Sequence, residues 1–149
     1  MESSSGRGRR LESEEELAEV VRTMKTVAVL GMKGEDRRDE AAYAIPAMLQ
    51  ARGHRVVPVN PKLASALGER AWARVADVPE TFDVLDVFRR RAHLPRHVDE
   101  ILALPPERRP RVVWLQSGIR DDAATEPLLA AGIDVVSDRC LGVYTSRYG

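Results

Sequence analysis

The chain has few thiols, no charge excess and no long apolar runs, and each shortage excludes something. A single cysteine, Cys140, among 149 residues leaves no intrachain disulfide and no cysteine-rich zinc site. Lysine and arginine number 23 and aspartate and glutamate 23, for a net charge of zero. Coating nucleic acid or an acidic membrane needs a basic excess, so neither partner is expected. No apolar run approaches the roughly 20 residues of a membrane-spanning helix. The opening MESSSGRGRRLESEEE has no apolar segment of the kind that directs secretion. The expectation is a soluble, cytoplasmic, single-domain protein, long enough to bury a core.

The pattern along the chain is one of alternation. Residues 1–12 are rich in Ser, Gly, Arg and Glu and read as a mobile tail before a domain spanning 13–149. Ser13 and Glu16 form a capping-box signature, and Leu17, Val20, Val21 and Met24 follow at helical spacing, which predicts a helix over about 14–24. Short apolar runs at 26–31, 54–61, 82–88, 111–115 and 133–136 read as strands buried on both faces. Helical patterns at 41–50, 96–104 and 121–131 separate them, with Pro46 and Pro127 expected to bend their helices. Buried strands alternating with helices predict a Rossmann-like α/β domain of three layers, with a central parallel sheet of five strands and helices on both faces.

In such sheets ligands bind beyond the carboxyl ends of the strands. Those ends carry Gly31-Met32-Lys33-Gly34, Asn60-Pro61-Lys62, Arg89-Arg90-Arg91, Gln116-Ser117-Gly118-Ile119-Arg120 and Ser137-Asp138-Arg139-Cys140. Converging cations and glycine-exposed backbone amides suit a phosphate-bearing ligand. Gly31 and Gly34 make only part of a dinucleotide fingerprint. Where an NAD site places a carboxylate after the second strand, this chain has Asn60 with Lys62 nearby, which favours a phosphorylated ribose: NADP or coenzyme A.

The blocks TVAVLGMKG, GHRVVPVNPK, FDVLDVFR, VVWLQSGI and AGIDVVSDRC, in this order and spacing, resemble the small stand-alone coenzyme A-binding proteins. Their Rossmann-like domain is similar to the CoA-binding domain of the succinyl-CoA synthetase α subunit. The resemblance covers roughly residues 14–144. It implies CoA, or an acyl-CoA, lying across the strand ends, with the turn from Gly31 through Met32 and Lys33 to Gly34 facing the pyrophosphate. Asn60, Pro61 and Lys62 would then lie by the adenosine 3′-phosphate, with Phe88, Arg89, Gln116, Ser117, Gly118 and Ile119 lining the rest of the cleft. The first loop, MKGEDRRDEAAY, departs from the family's Arg-Pro-Ser-like segment; it is longer and more acidic. Arg37 or Arg38 would stand for the family arginine.

Plainer readings account for other residues. Trp114 reads as core and Trp72 as packing for a connecting segment. Arg90 and Arg91 read as solvated, and Cys140 as a small buried residue. His93 and His97 stand four apart, but Pro95 interrupts them and no metal site is expected. There is no nucleophile elbow and no partnered Ser117. A non-catalytic CoA-binding protein is therefore the leading expectation. The alternatives are an NADP-dependent or acyl-CoA-handling enzyme, and an interaction module that has lost its ligand.

Overall fold

The structure, a computed structural model, describes residues 6–149. In chain order it contains α1 (Glu14–Thr23), β1 (Thr26–Leu30), α2 (Ala41–Ala51), β2 (Arg55–Val59), β3 (Ser65–Ala66), β4 (Glu69–Arg70), β5 (Val84–Val87), α3 (Leu94–Leu102), β6 (Val112–Leu115), α4 (Asp122–Ala130), β7 (Asp134–Val136) and α5 (Leu141–Tyr148). Five strands form one parallel sheet in the order β2-β1-β5-β6-β7. The direction of winding reverses between β1 and β5, so the crevice for a ligand opens at their carboxyl ends.

Each strand contributes alternate residues to two cores. Ala28, Leu30, Val57, Leu85, Val87, Val113 and Leu115 pack against Leu94, Val98 and Ile101 of α3 and Leu128 and Leu129 of α4. Val27, Val29, Val56, Val84, Val112 and Trp114 pack against Leu17, Val20 and Val21 of α1, Tyr43 and Leu49 of α2, and Leu141 of α5. A strand buried on both sides has no polar face, which is why the runs are nearly unbroken in apolar residues. The Rossmann-like three-layer arrangement is the one the alternation predicts.

Local signals explain the boundaries. Ser13 and Glu16 make the reciprocal capping box that starts α1. Pro95 is the second residue of α3, where a missing N–H interrupts nothing. Pro58 lies in β2, an edge strand that tolerates a lost donor.

Three features depart from the pattern reading. Residues 1–5 of the expected tail lie outside the described residues, but the rest of it is held. Gly8 N–H donates to the Leu129 carbonyl at 2.7 Å, Leu11 N–H to Val135 at 2.9 Å and Val135 N–H to Arg9 at 3.0 Å. This segment runs parallel to β7 and buries Leu11. Side chains add to these bonds: Arg9 N–H donates to Asp134 Oδ1 at 2.8 Å and Arg10 Nη1 to Thr125 Oγ1 at 3.0 Å, partners 125 and 115 residues away that no local pattern announces. The β3–β4 hairpin turns through Leu67 and Gly68, at φ 55° and 75°. It is held from outside, by Leu67 N–H to Glu35 Oε2 at 2.7 Å and Gln50 Nε2 to the Leu67 carbonyl at 2.9 Å. Finally, α5 adds an unanticipated helix over α1 and α2.

Candidate functional site

A cavity of about 580 Å³ opens at the switch point, lined by the ends of β1, β5 and β6, the first turns of α2, and Cys140. Gly31, Lys33, Phe88, Arg89, Gln116, Ser117, Gly118 and Ile119 all line it. The structure therefore brings together eight of the fifteen residues singled out from the sequence.

The approach of β1 to β5 is set by Gly31. Its φ is +87°, and a Cβ there would stand 2.4 Å from the Phe88 carbonyl oxygen and 3.1 Å from Arg89 Nε. Only glycine satisfies both the backbone conformation and the contact. Gly31 N–H donates to the Val59 carbonyl and Phe88 N–H to the Leu30 carbonyl, which carries the ladder to the cavity edge.

The first loop is anchored by an absence. Pro46 sits within α2 and has no N–H for the carbonyl of Ala42, four residues earlier. Lys33 N–H donates to that carbonyl at 3.1 Å. The proline thus gives the loop an attachment point on α2, and the helix runs on through it.

Beneath the cavity lies a group the sequence reading passed over. Asp86 is fully buried in β5, and Gln116 Nε2 donates to its Oδ1 and Oδ2 at 2.9 and 3.2 Å. Gln116 Oε1 in turn accepts from Leu141 N–H at 3.3 Å. Burial pushes the Asp86 carboxyl up to about 8, with the Gln116 bond opposing. The amide of Gln116 is committed on both sides, so it positions β5, β6 and the start of α5 and presents its edge to the cavity. The signal was present: a carboxylate amid FDVLDVF, with apolar residues on either side, is a buried acid.

Arg89 is a half-buried cation of the site. Its Nε is buried without a hydrogen-bond partner, and burial together with the neighbouring Arg96 lowers its pKa. Arg90 and Arg91 are exposed, as expected, yet they too line the cavity, and Arg91 Nε reaches Asp121 Oδ2 at 3.4 Å. Among the described residues no carboxylate pairs with Lys33. The acidic residues of the first loop do not line the cavity. Glu35 accepts from Leu67 N–H, chiefly on which account its pKa is lowered, and Glu40 pairs with Arg37 at 2.9 Å.

The remaining expected residues stand elsewhere. Met32 is fully buried in the core beside α2, and Gly34 packs on Leu63. Arg37 pairs with Glu40, and Arg38 lies over the Tyr43 ring at 5.5 Å. Asn60 is buried: its Nδ2 donates to the Met32 carbonyl and its Oδ1 accepts from Lys62 N–H, both at 2.9 Å. It ties the first loop to the second, and being buried outside the cavity lining it does not face a ribose there. Pro61 and Lys62 are exposed beyond the cavity on the β2 side.

Besides Arg90 and Arg91, four lining residues were not singled out as site residues: Ala41, Ala42 and Ile45 of α2, and Cys140. Small residues at a helix start carry no chemical signature. Cys140 is half-buried and faces the cavity, which corrects the expectation of a buried strand-end residue. Trp72 packs on the core beside β2, with the Arg70 guanidinium 4.0 Å from its ring.

Fold and site together define a doubly wound domain with a cationic cavity at its switch point. The chain belongs to the CoA-binding domain family, whose model matches residues 25–146. It is 31% identical over 131 residues to the uncharacterized protein YneT of Bacillus subtilis, covering 88% of this chain and 93% of that one. The Thermus thermophilus protein known as cell-free ID.343 is similar at 39% identity and a TM-score of 0.83, covering 93% of this chain and all of that one. A hypothetical protein from Pyrococcus horikoshii OT3 is similar at 26% identity and a TM-score of 0.81, covering 99% of both chains.

Proposed function

We propose that this chain is a non-catalytic, cytoplasmic CoA-binding protein that holds coenzyme A across the carboxyl ends of β1, β5 and β6. The observation that carries the reading is Arg89, an arginine whose buried Nε lacks a partner at the edge of the cavity, in a chain of the CoA-binding domain family. A buried donor without an acceptor is costly, and a pyrophosphate oxygen supplies one. Ala41 and Ala42 open α2 with no side-chain cap, so their amides and the helix dipole favour the same anion. Lys33 adds a second cation at this position. Lys62, farther along toward β2, takes the 3′-phosphate, and the pantetheine arm runs over Gln116–Ile119 toward Cys140.

The non-catalytic part of the reading rests on the chemistry available. Ser117 is exposed with no histidine hydrogen-bonded to it. The acid whose pKa burial brings nearest neutrality, Asp86, is sealed beneath Gln116. Among the described residues neither Ser117 nor Cys140, the hydroxyl and thiol at the cavity, is hydrogen-bonded to a base that could activate it for group transfer.

Calorimetric titration with CoA, dephospho-CoA and NADPH tests the reading. Coenzyme A is expected to bind at least about 10-fold more tightly than NADPH, given one charge-assisted contact set that only CoA completes. Lys62→Ala should remove the preference for CoA over dephospho-CoA, a preference of about 3- to 5-fold for an exposed ion pair. Absence of CoA binding overturns the assignment.

A further inference from the structure

The cavity does not end at Cys140. A second open groove, of about 600 Å³, shares Ile45 and Cys140 with it and continues between α2 and α5, past Ala44, Met48 and Val143. We propose that this groove takes the acyl chain of a CoA thioester, so that the protein's ligand is a short- to medium-chain acyl-CoA. The inference rests on the CoA reading above and adds what occupies the space beyond the thiol.

Three observations support it. First, the shared pair places the mouth of the groove where the pantetheine arm ends, so an acyl group on the sulfur has one continuous path. Second, apart from Ser146 and Arg147 the walls are apolar or small. Val143 is the only large hydrophobic side chain of the described residues that is exposed, at 47%, and it stands on this groove beside the half-buried Ile45 and Met48. A solitary exposed valine is too little for a protein interface, which takes about 800 Å² from each partner. Third, Arg147, a charged side chain held to Glu14 Oε1 at 3.0 Å, also lines the groove and marks where its apolar wall gives way to charge. From Cys140 to Arg147 is seven residues of helix, or roughly 10 Å at 1.5 Å per residue, the reach of about six to eight acyl carbons.

Apolar burial converts this into an affinity ladder. Each methylene removed from water strengthens binding by up to about 4-fold, the equivalent of 0.8 kcal/mol. The test is titration of the full chain with CoA, acetyl-CoA, hexanoyl-CoA and palmitoyl-CoA. Hexanoyl-CoA is expected to bind at least about 10-fold more tightly than CoA, with no further gain for palmitoyl-CoA. Val143→Glu and Ala44→Trp, both at exposed positions outside the first cavity, should abolish that gain and leave CoA affinity unchanged. Equal binding of CoA and hexanoyl-CoA by the unsubstituted chain overturns the acyl groove and leaves the CoA reading standing. A gain that survives both substitutions also overturns it. Failure of every ligand, CoA included, overturns the CoA reading itself.

Discussion

Gln116 donates one amide nitrogen to both carboxyl oxygens of Asp86, at 2.9 and 3.2 Å, within the core below the ligand cavity. The acid sits on the central strand of the sheet, and the amide also receives the first N–H of α5. One side chain therefore joins two strands and the helix that follows Cys140.

The ionisation of Asp86 should be visible in stability. An unfolded aspartate releases its proton near pH 3.9, whereas burial holds the folded one up to about 8. Between these values the native state binds the extra proton, so stability falls as pH rises and levels off above about 8. Asp86→Asn removes this fall. In urea titrations the variant should be at least ~1 kcal/mol more stable than the parent at pH 8.5, and the advantage should vanish toward about pH 4. Parallel profiles for the two proteins defeat the assignment.

The glycines at the cavity mouth should separate under substitution. Gly31→Ala meets the Phe88 carbonyl as well as a positive φ, whereas Gly118, at φ +84°, faces open space. Gly118→Ala should cost about 1 kcal/mol, the penalty of the left-handed conformation alone. Gly31→Ala should cost clearly more, or prevent folding. Thermal melts of the two variants provide the comparison.

Removing Arg89 should affect binding and spare the fold. Its buried nitrogen has no partner to lose and its charge is desolvated. Arg89→Met is expected to leave the melting temperature unchanged or raised and to weaken CoA binding about 10- to 100-fold, the value of a charge-assisted contact. A lowered melting temperature with unaltered affinity refutes the phosphate role.

Asn60 and Lys62, neighbours in one motif, should behave in opposite ways. Asn60→Ala strips the Met32 carbonyl and the Lys62 amide of buried partners, at a cost of about 1–3 kcal/mol. Lys62→Ala, at an exposed side chain, should leave stability within about 0.5 kcal/mol. Denaturant unfolding of both variants distinguishes a structural tie from a ligand contact.

The same contrast shows what the sequence made legible. Strands β1, β2, β5, β6 and β7 were readable because burial on both faces leaves an unbroken apolar run, and α1 because its cap is written in Ser13 and Glu16. Helix α5 was not, since LGVYTSRY mixes β-branched and aromatic residues of modest helix propensity and Cys140 provides no side-chain cap. At the site, pattern placed the strand ends but not the direction of their side chains. Asn60 turns inward to two backbone groups, Met32 enters the core, and the cavity's third wall comes from alanines of α2 that no motif marks. The acidic first loop, legible only as a run of charge, proves to spend Glu35 on a turn amide and Glu40 on Arg37.

The parallel segment beside β7 and the Trp72 bridge beside β2 have a joint consequence for how copies of this protein meet. Backbone bonds from Arg9 and Leu11 occupy one rim of the sheet. On the opposite rim Trp72 N–H bonds the Pro58 carbonyl and Asn60 N–H the Trp72 carbonyl, with Arg55 paired to Glu69 and Glu80 alongside. A parallel sheet of bare, valine-rich strands is a template for edge-to-edge growth. Here Arg9 and Leu11 cover one rim and Trp72 caps part of the other, so edge-to-edge strand addition is opposed on both sides.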